Sequence, residues 1–389
     1  MRLFVLIILM TFAYFSKAQE SSLEYNSNLG FWNTHFNEPL LSESYGFLDS
    51  QDKENILSAL SSSNHVQIEI DNELRYQNKK GWSIAFGNHA AAFGSYSDDL
   101  VKIGLLGNSP FKGENLDLKP LALTAYHFSK LEIGYQWNKK LNTSISLIGG
   151  HQLAEFDVTK ANFYTDEFTD FIEYDLALEG HFTDTTDLMN NLFALNGTGA
   201  ALNIHYTDSI DNLRYDLIIK DFGMIRWNEK TTNTFIESQW KFEGVNIDDF
   251  IAFNDSILET YTDSIQDVLQ KSSTESYNWR LPTTLAINVY QNTSSKIIDA
   301  YSFSLIHKTK FYTYPRFGTD VHKNFKKHTF SLGYYIGGFE KPGFQFAYNF
   351  KGKKTHFKIY SKQANSVFPS QNYGVHLGFG IKRVFSTPK

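Results

Sequence analysis

Twelve histidines, a scatter of carboxylates and no cysteine are the side chains with which this chain could do chemistry, and their spacing excludes most of it. Without cysteine there is no thiolate zinc site, iron–sulfur cluster, cysteine nucleophile or disulfide framework. No His-Glu-x-x-His helix, Gly-x-Ser-x-Gly elbow or Walker loop occurs. His322 and His328 lie in a lysine-rich stretch that reads as a solvated turn and not as a metal site. Asp98-Asp99 and Asp248-Asp249 are adjacent pairs, and neighbours on a strand point to opposite faces, so neither can share a proton. A Ser or Asp set beside a His on a neighbouring strand, as a lipase-like or protease-like membrane barrel needs, is invisible at this level because strand register is not written locally. We therefore expect no enzyme, no cofactor and no metal.

The elements that would position any site are strands. Phe344, Phe346, Tyr348 and Phe350 alternate with Gln345, Ala347 and Asn349, a strict period of two. Leu131, Ile133, Tyr135 and Trp137 alternate in the same way with Glu132, Gly134 and Gln136, and Val375, Leu377, Phe379 and Ile381 with His376, Gly378 and Gly380. About fourteen such segments fit between His65 and Phe385, many joined by short Asn, Gly and Lys turns. Segments of about ten residues, small or polar residues opposite apolar ones, and aromatics crowded at strand ends together suit a closed antiparallel transmembrane β-barrel, all-β in class. A soluble secreted all-β protein is the alternative. Fourteen strands are expected and sixteen is the main alternative; Asn64 to Asn78, strand or plug, decides the parity.

Met1 and Arg2 form a short positive start, Leu3 to Phe15 an apolar run below the ~20 residues of a spanning helix, and Ser16-Lys17-Ala18 a small-residue cleavage site. Residues 1–18 therefore read as a signal peptide cleaved after Ala18, and the mature chain as an exported protein of the outer membrane. The 36 basic and 42 acidic residues give a net charge of -6, with no basic bias toward nucleic acid. Tyr373 to Phe385 alternates and ends in an aromatic, the form of a barrel-closing strand, with Ser386 to Lys389 trailing past it.

A family resemblance rests on motifs in a fixed order. These are Gly107-Asn108 with Phe111, Gly113 and Leu118; Asp221-Phe222-Gly223-Met224-Ile225-Arg226-Trp227; Ser276-Tyr277 with Leu281-Pro282; and Phe368-Pro369 with Asn372-Tyr373-Gly374. They resemble a functionally uncharacterised family of Bacteroidetes outer-membrane barrels, itself similar to the superfamily of long-chain fatty-acid transporters and secretion-associated barrels. The resemblance covers nearly the whole mature chain. It implies a single barrel with an N-terminal plug-like segment and no established substrate. Phe36-Asn37-Glu38-Pro39-Leu40 is similar to that superfamily's Asn-Pro element, with Glu38 interrupting the pair.

Two segments fall outside the strand pattern. Residues 19–63 are the expected plug, with Phe31, Trp32, Phe36, Asn37, Pro39 and Leu40 as its anchoring residues and a short helix from Asp49 to Leu60. The barrel proper is then 64–389. Residues 246–271 carry apolar positions at helical spacing with acidic residues between them, an amphipathic helix inserted in a barrel loop as a lid, a docking element or a packed cap. Two functions follow. One is passive uptake of a hydrophobic or amphipathic small molecule. The other is an interaction or structural role serving secretion, motility or surface attachment through a partner protein. An apolar lumen pocket favours the first and a polar, filled lumen the second.

Overall fold

The computed structural model describes residues 20–34, 49–183, 194–243, 272–338, 341–367 and 373–386. Its strands are β1 (Glu20–Asn33), β2 (Asn64–Gln77), β3 (Trp82–Tyr96), β4 (Asn115–Asp117), β5 (Leu121–Gln136), β6 (Leu141–Thr165), β7 (Ile172–Phe182), β8 (Gly197–Ile210), β9 (Leu213–Trp227) and β10 (Thr232–Phe242). They continue as β11 (Ser272–Thr274), β12 (Tyr277–Arg280), β13 (Thr284–Asn292), β14 (Ala300–Lys308), β15 (Tyr314–Phe325), β16 (His328–Gly338), β17 (Gly343–Lys351), β18 (Thr355–Ser361) and β19 (Gly374–Ser386). Two helices, α1 (Ser50–Ala59) and α2 (Asp98–Leu106), lie among them. The wall runs β1, β2, β3, β5, β6, β8, β9 and then β13 through β19, and β19 pairs back onto β1. This is a closed antiparallel barrel of 14 strands. Closure pairs every wall strand on both sides and leaves no open edge.

The two faces of the wall have opposite chemistry. On β16, Phe330, Leu332, Tyr334 and Ile336 point outward and are exposed, while Ser331 and Tyr335 point inward and are buried. On β2, Ile68 and Ile70 point outward, and Glu69, Asp71, Glu73 and Arg75 point into the lumen. The outer surface is thus the apolar one, the reverse of a soluble barrel, and it meets the requirement for a wall in contact with lipid. Aromatic pairs mark both ends of this face. Trp82 packs on Tyr135 at 4.8 Å near the short turns, and Tyr334 on Phe344 at 5.3 Å near the long loops.

β1 corrects the expected plug. Its residues pair with β19 on one side (Tyr25↔Ile381, Leu29↔Leu377) and with β2 on the other (Tyr25↔Leu74, Leu29↔Ile70). The barrel therefore begins at Glu20 and not at residue 64. The physical reason is the alternation of Leu23, Tyr25, Leu29 and Phe31 with Glu24, Asn26, Asn28 and Gly30, which suits a wall with a dry and a wet face. Phe31 sits on the outward face beside Ile68, whereas Trp32 points inward, 4% exposed, with its ring 5.5 Å from His376. Phe36, Asn37, Pro39 and Leu40, the expected signal peptide 1–18, the segment 246–271 and Pro369 lie outside the described residues. The expected strand at Asn64 forms, and α1 forms within the expected Asp49 to Leu60, with Asp49 and Asp52 exchanging a capping box. Asp98 and Asp99 stand in the first turn of α2 and not on a strand, and Lys102 Nζ reaches both at 2.8 Å.

Three wall positions, those of β6, β9 and β12–β13, are irregular at one level. β6 pairs with β8 in its first part (Ile148↔Gly199) and with β7 in its second (Ala154↔Phe182). β9 ends at Trp227, turns through Asn228 to Thr231, and the chain resumes as β10 against β7. β12 pairs with Met224 to Trp227, and after Leu281-Pro282-Thr283 the same wall position continues as β13 opposite Lys220. Pro282 has no N–H to give the ladder, which accounts for the break. β6 bulges at His151 and the β8–β9 pair at Asn203, while Asp221 takes a φ of 57°, a conformation Asp tolerates better than most residues.

If β1 is wall, its two aromatics differ in worth. Trp32→Ala should lower the unfolding free energy by about 3 to 5 kcal/mol. Phe31→Ala should cost less than about 1 kcal/mol, because lipid tails replace its contacts. Urea titrations of the barrel folded into vesicles measure both.

Candidate functional site

The inward face of β2 places carboxylates at alternate positions, and the opposite wall supplies their cations. Lys308 on β14 reaches Glu69 at 2.9 Å, and Lys220 on β9 lies 3.6 Å from Asp71, which also holds His89 at 3.0 Å. Lys130 on β5, whose side chain is fully buried, reaches Asp221 at 3.0 Å. Toward the turn end, Arg75 bridges Glu73 at 3.0 Å and Glu132 at 2.7 Å. β2 is far around the ring from both β9 and β14, so the Glu69–Lys308 and Asp71–Lys220 pairs span the lumen. The enclosed void left between Glu69, Asp71, His89, Lys220, Asp221 and Lys308 is about 40 Å³, room for only a few waters. Charges taken into an interior persist only when each has a partner, and each of these has a counter-ion within 4 Å.

The bulge at Asp221 is built into this floor. The Asp221 N–H donates to Asn203 Oδ1 at 2.7 Å, and Asn203 Nδ2 donates to Glu132 at 2.9 Å. Thr283 Oγ1 donates to the Asp221 carbonyl at 3.3 Å, which ties the break beside Pro282 to the same network. The irregular wall and the charged floor are therefore one structure.

Above the floor the lumen becomes aromatic. Tyr126, Phe128, Ile148, Leu153, Ile225, Trp227, Trp279, Leu281 and Phe311 form a buried cluster inside the barrel. Trp227 lies flat on β6 and β8; a Cβ on Gly150 would sit 2.7 Å from its ring and one on Gly197 2.8 Å, so only glycine permits this approach. Over the cluster, toward the loop end, opens a cleft of about 410 Å³ lined by Phe93, Tyr277, Glu155, Asp157, His181 and Lys310, among others. Glu155 accepts from Lys310 Nζ at 2.7 Å, Tyr277 Oη at 3.1 Å and Trp279 Nε1 at 3.2 Å. His181 stacks on Tyr277 at 3.6 Å, and Lys310 lies 4.8 Å over the Trp279 ring. The cleft thus offers flat rings at its base and both signs of charge at its rim, the features that hold an amphipathic molecule.

Of the residues singled out by sequence, Asp221, Trp227 and Pro282 come together around the floor and the aromatic cluster. Arg226 faces outward, within 3.4 Å of Ser276. Gly107, Asn108 and Gly113 shape the loop after α2; Gly107 and Gly113 have φ of 72° and 77°, and Asn108 and Gly113 bond Thr165 at the end of β6. His322 is not in a solvated turn: it sits half-buried on the inward face of β15, between Ser302 at 2.9 Å and Ser331 at 2.8 Å. Sequence reasoning missed the floor. Its available signal was the run Glu69, Asp71, Glu73 and Arg75 at alternate positions. Among the described residues no group of three or more His, Asp or Glu could hold a metal ion.

Removing one partner from the floor exposes its dependence on pairing. Lys130→Met should destabilise the barrel by about 3 to 5 kcal/mol by stranding Asp221. Adding Asp221→Asn should restore at least half of that, since Asn also tolerates the positive φ. Paired urea titrations in vesicles would show it.

No curated protein matches the chain. Among solved structures it is similar to the P. putida toluene transporter TodX, with 9% identity, 96% of this chain and 90% of that one covered, and a TM-score of 0.37. It is similar to a Pseudomonas aeruginosa FadL homologue with 7% identity, 95% and 90% covered, and a TM-score of 0.41. A mutant Rh. blastica porin gives 8% identity, 94% and 100% covered, and a TM-score of 0.26. Residues 20–361 match the family of unknown function DUF5723, and the chain belongs to that family.

Proposed function

We propose that this chain is an exported outer-membrane barrel, cleaved after Ala18, that takes up an amphipathic small molecule with a flat apolar body and a polar head. The cleft of about 410 Å³ over the aromatic cluster carries this reading. Rings of Tyr277 and Phe93 would take the body, while Glu155, Lys310 and His181 would orient the head. The ionic floor then acts as a closed gate: passage requires the Glu69–Lys308 and Asp71–Lys220 contacts to part. Two ion pairs across a wet lumen separate at modest cost once water can replace each partner.

A second reading is supported by the same floor. A lumen that never opens would leave the barrel as a membrane-held platform for a surface or secretion partner.

Conductance and binding together separate the two. In planar bilayers, Glu69→Ala with Lys308→Ala should raise single-channel conductance several-fold over the wild type. The fluorescent arylamine N-phenyl-1-naphthylamine should bind the folded wild-type barrel saturably, and Tyr277→Ala should weaken that binding at least fivefold. A folded barrel that binds no probe, with conductance unchanged in the double variant, would favour the platform.

A further inference from the structure

We propose that Ser129 and His151 form a nucleophile and base on the outer face of the barrel, directed at the acyl ester of a lipid in the surrounding bilayer. Ser129 shares the outward face of β5 with Leu131 and Ile133, which are 39% and 50% exposed, while Phe128 and Lys130 on either side point inward and are buried. Ser129 Oγ lies 2.9 Å from His151 Nε2. His151 Nδ1 lies 3.0 Å from the carbonyl of Ala194, which can only accept. The proton of the neutral ring is therefore on Nδ1, Nε2 is bare, and Ser129 donates its O–H to it. This is the tautomer a general base needs.

Two further side chains complete the group. Asn88, directly opposite Ser129 on β3, donates from Nδ2 to Ser129 Oγ at 3.1 Å and to His127 Nε2 at 2.9 Å. His127 and His151 face each other with ring centroids 4.7 Å apart. His151 reaches this face because it is the extra residue of the bulge in β6; the pairing skips it between Gly150 and Gln152. The Asn196 side chain holds the His151 carbonyl at 2.7 Å and fixes the bulge from below. A chain of hydrogen bonds joins these four polar side chains beneath the apolar outer face, where His127 and His151 are 8% and 6% exposed, and such a group is costly where Val or Ala would fill the space.

The chemistry balances with water as the only co-reactant. Ser129 Oγ attacks the ester carbonyl as its proton passes to His151 Nε2. The C–O bond to the lipid's glycerol breaks, and the departing alkoxide takes that proton. Water then attacks the acyl-serine, again giving a proton to His151, and releases the fatty acid with Ser129 restored. Asn88, whose two amide hydrogens go to Ser129 Oγ and His127 Nε2, holds the nucleophile in place and is a positioning residue. His127, held by Asn88, is a positioning residue.

The test uses the full-length barrel folded into vesicles of phosphatidylethanolamine and phosphatidylglycerol, treated with a fluorophosphonate probe. Probe should map by peptide mass to Ser129, and vesicles should release free fatty acid. Ser129→Ala should abolish labelling and lower release at least a hundredfold, His151→Gln should do the same, and Asn88→Ala should slow labelling about tenfold. N-phenyl-1-naphthylamine binding should be unchanged in Ser129→Ala, so failure here and failure of the uptake proposal are separable. Absence of both labelling and fatty-acid release from the folded wild type, labelling at another serine, or equal release from Ser129→Ala would overturn the assignment and leave the group as a wall bracket.

Discussion

The pairing of β1 with both β2 and β19 is the constraint on which the structure rests. In contact with lipid an unpaired backbone N–H or C=O has no water to fall back on, so the wall must close on itself. Closure in turn fixes which side chains face inward, because side-chain direction alternates along a strand and a register slip of one residue would turn Glu69, Asp71, Glu73 and Arg75 toward lipid. The charged floor is a consequence. Carboxylates that alternate along β2 are tolerable only if cations stand across the lumen, and Lys308 and Lys220 do.

The same alternation gives the site two levels. Near mid-lumen the inward positions are charged and mutually paired, and toward the loops they are aromatic. The breaks in the wall lie where these levels meet. Asp221 joins them: its carboxylate belongs to the floor through Lys130, and its backbone belongs to the bulge through Asn203 and Thr283. Trp227 and Trp279 then fill the space over the irregular strands, and the glycines beneath Trp227 allow the indole to lie against the backbone. An opening lumen would have to rearrange the floor and leave this aromatic packing as the rigid frame.

The wall was legible in the sequence because alternation is local: Gly343 to Phe350 and Leu131 to Trp137 state both faces within one segment. The total of fourteen agrees, although the wall strands from β2 onward number thirteen and β1 supplies the last. The first strand was misassigned for an equally local reason. Phe31-Trp32 places two aromatics side by side, which suggested a packed plug, although one lies on the outer face and the other points into the lumen. The floor was half legible, since the carboxylates of β2 stand two apart, but their cations lie 149 and 239 residues onward, and only register brings them in. His127 and Ser129 stand two apart on β5 and so share a face. Asn88 required strand pairing to be seen, and His151 required a bulge, which no periodicity announces.

Crosslinking between β1 and β19 tests the closed wall most directly in this cysteine-free chain. Leu29 and Leu377 stand opposite each other on the outward face. With cysteines at both positions, mild oxidation of the folded barrel in membranes should join them and convert the chain to a compact, fast-migrating form that reductant reverses. Failure of this pair to join, with the cysteine at position 29 crosslinking instead to inward positions such as 320 on β15, would place the N-terminal segment inside the lumen and contradict the account.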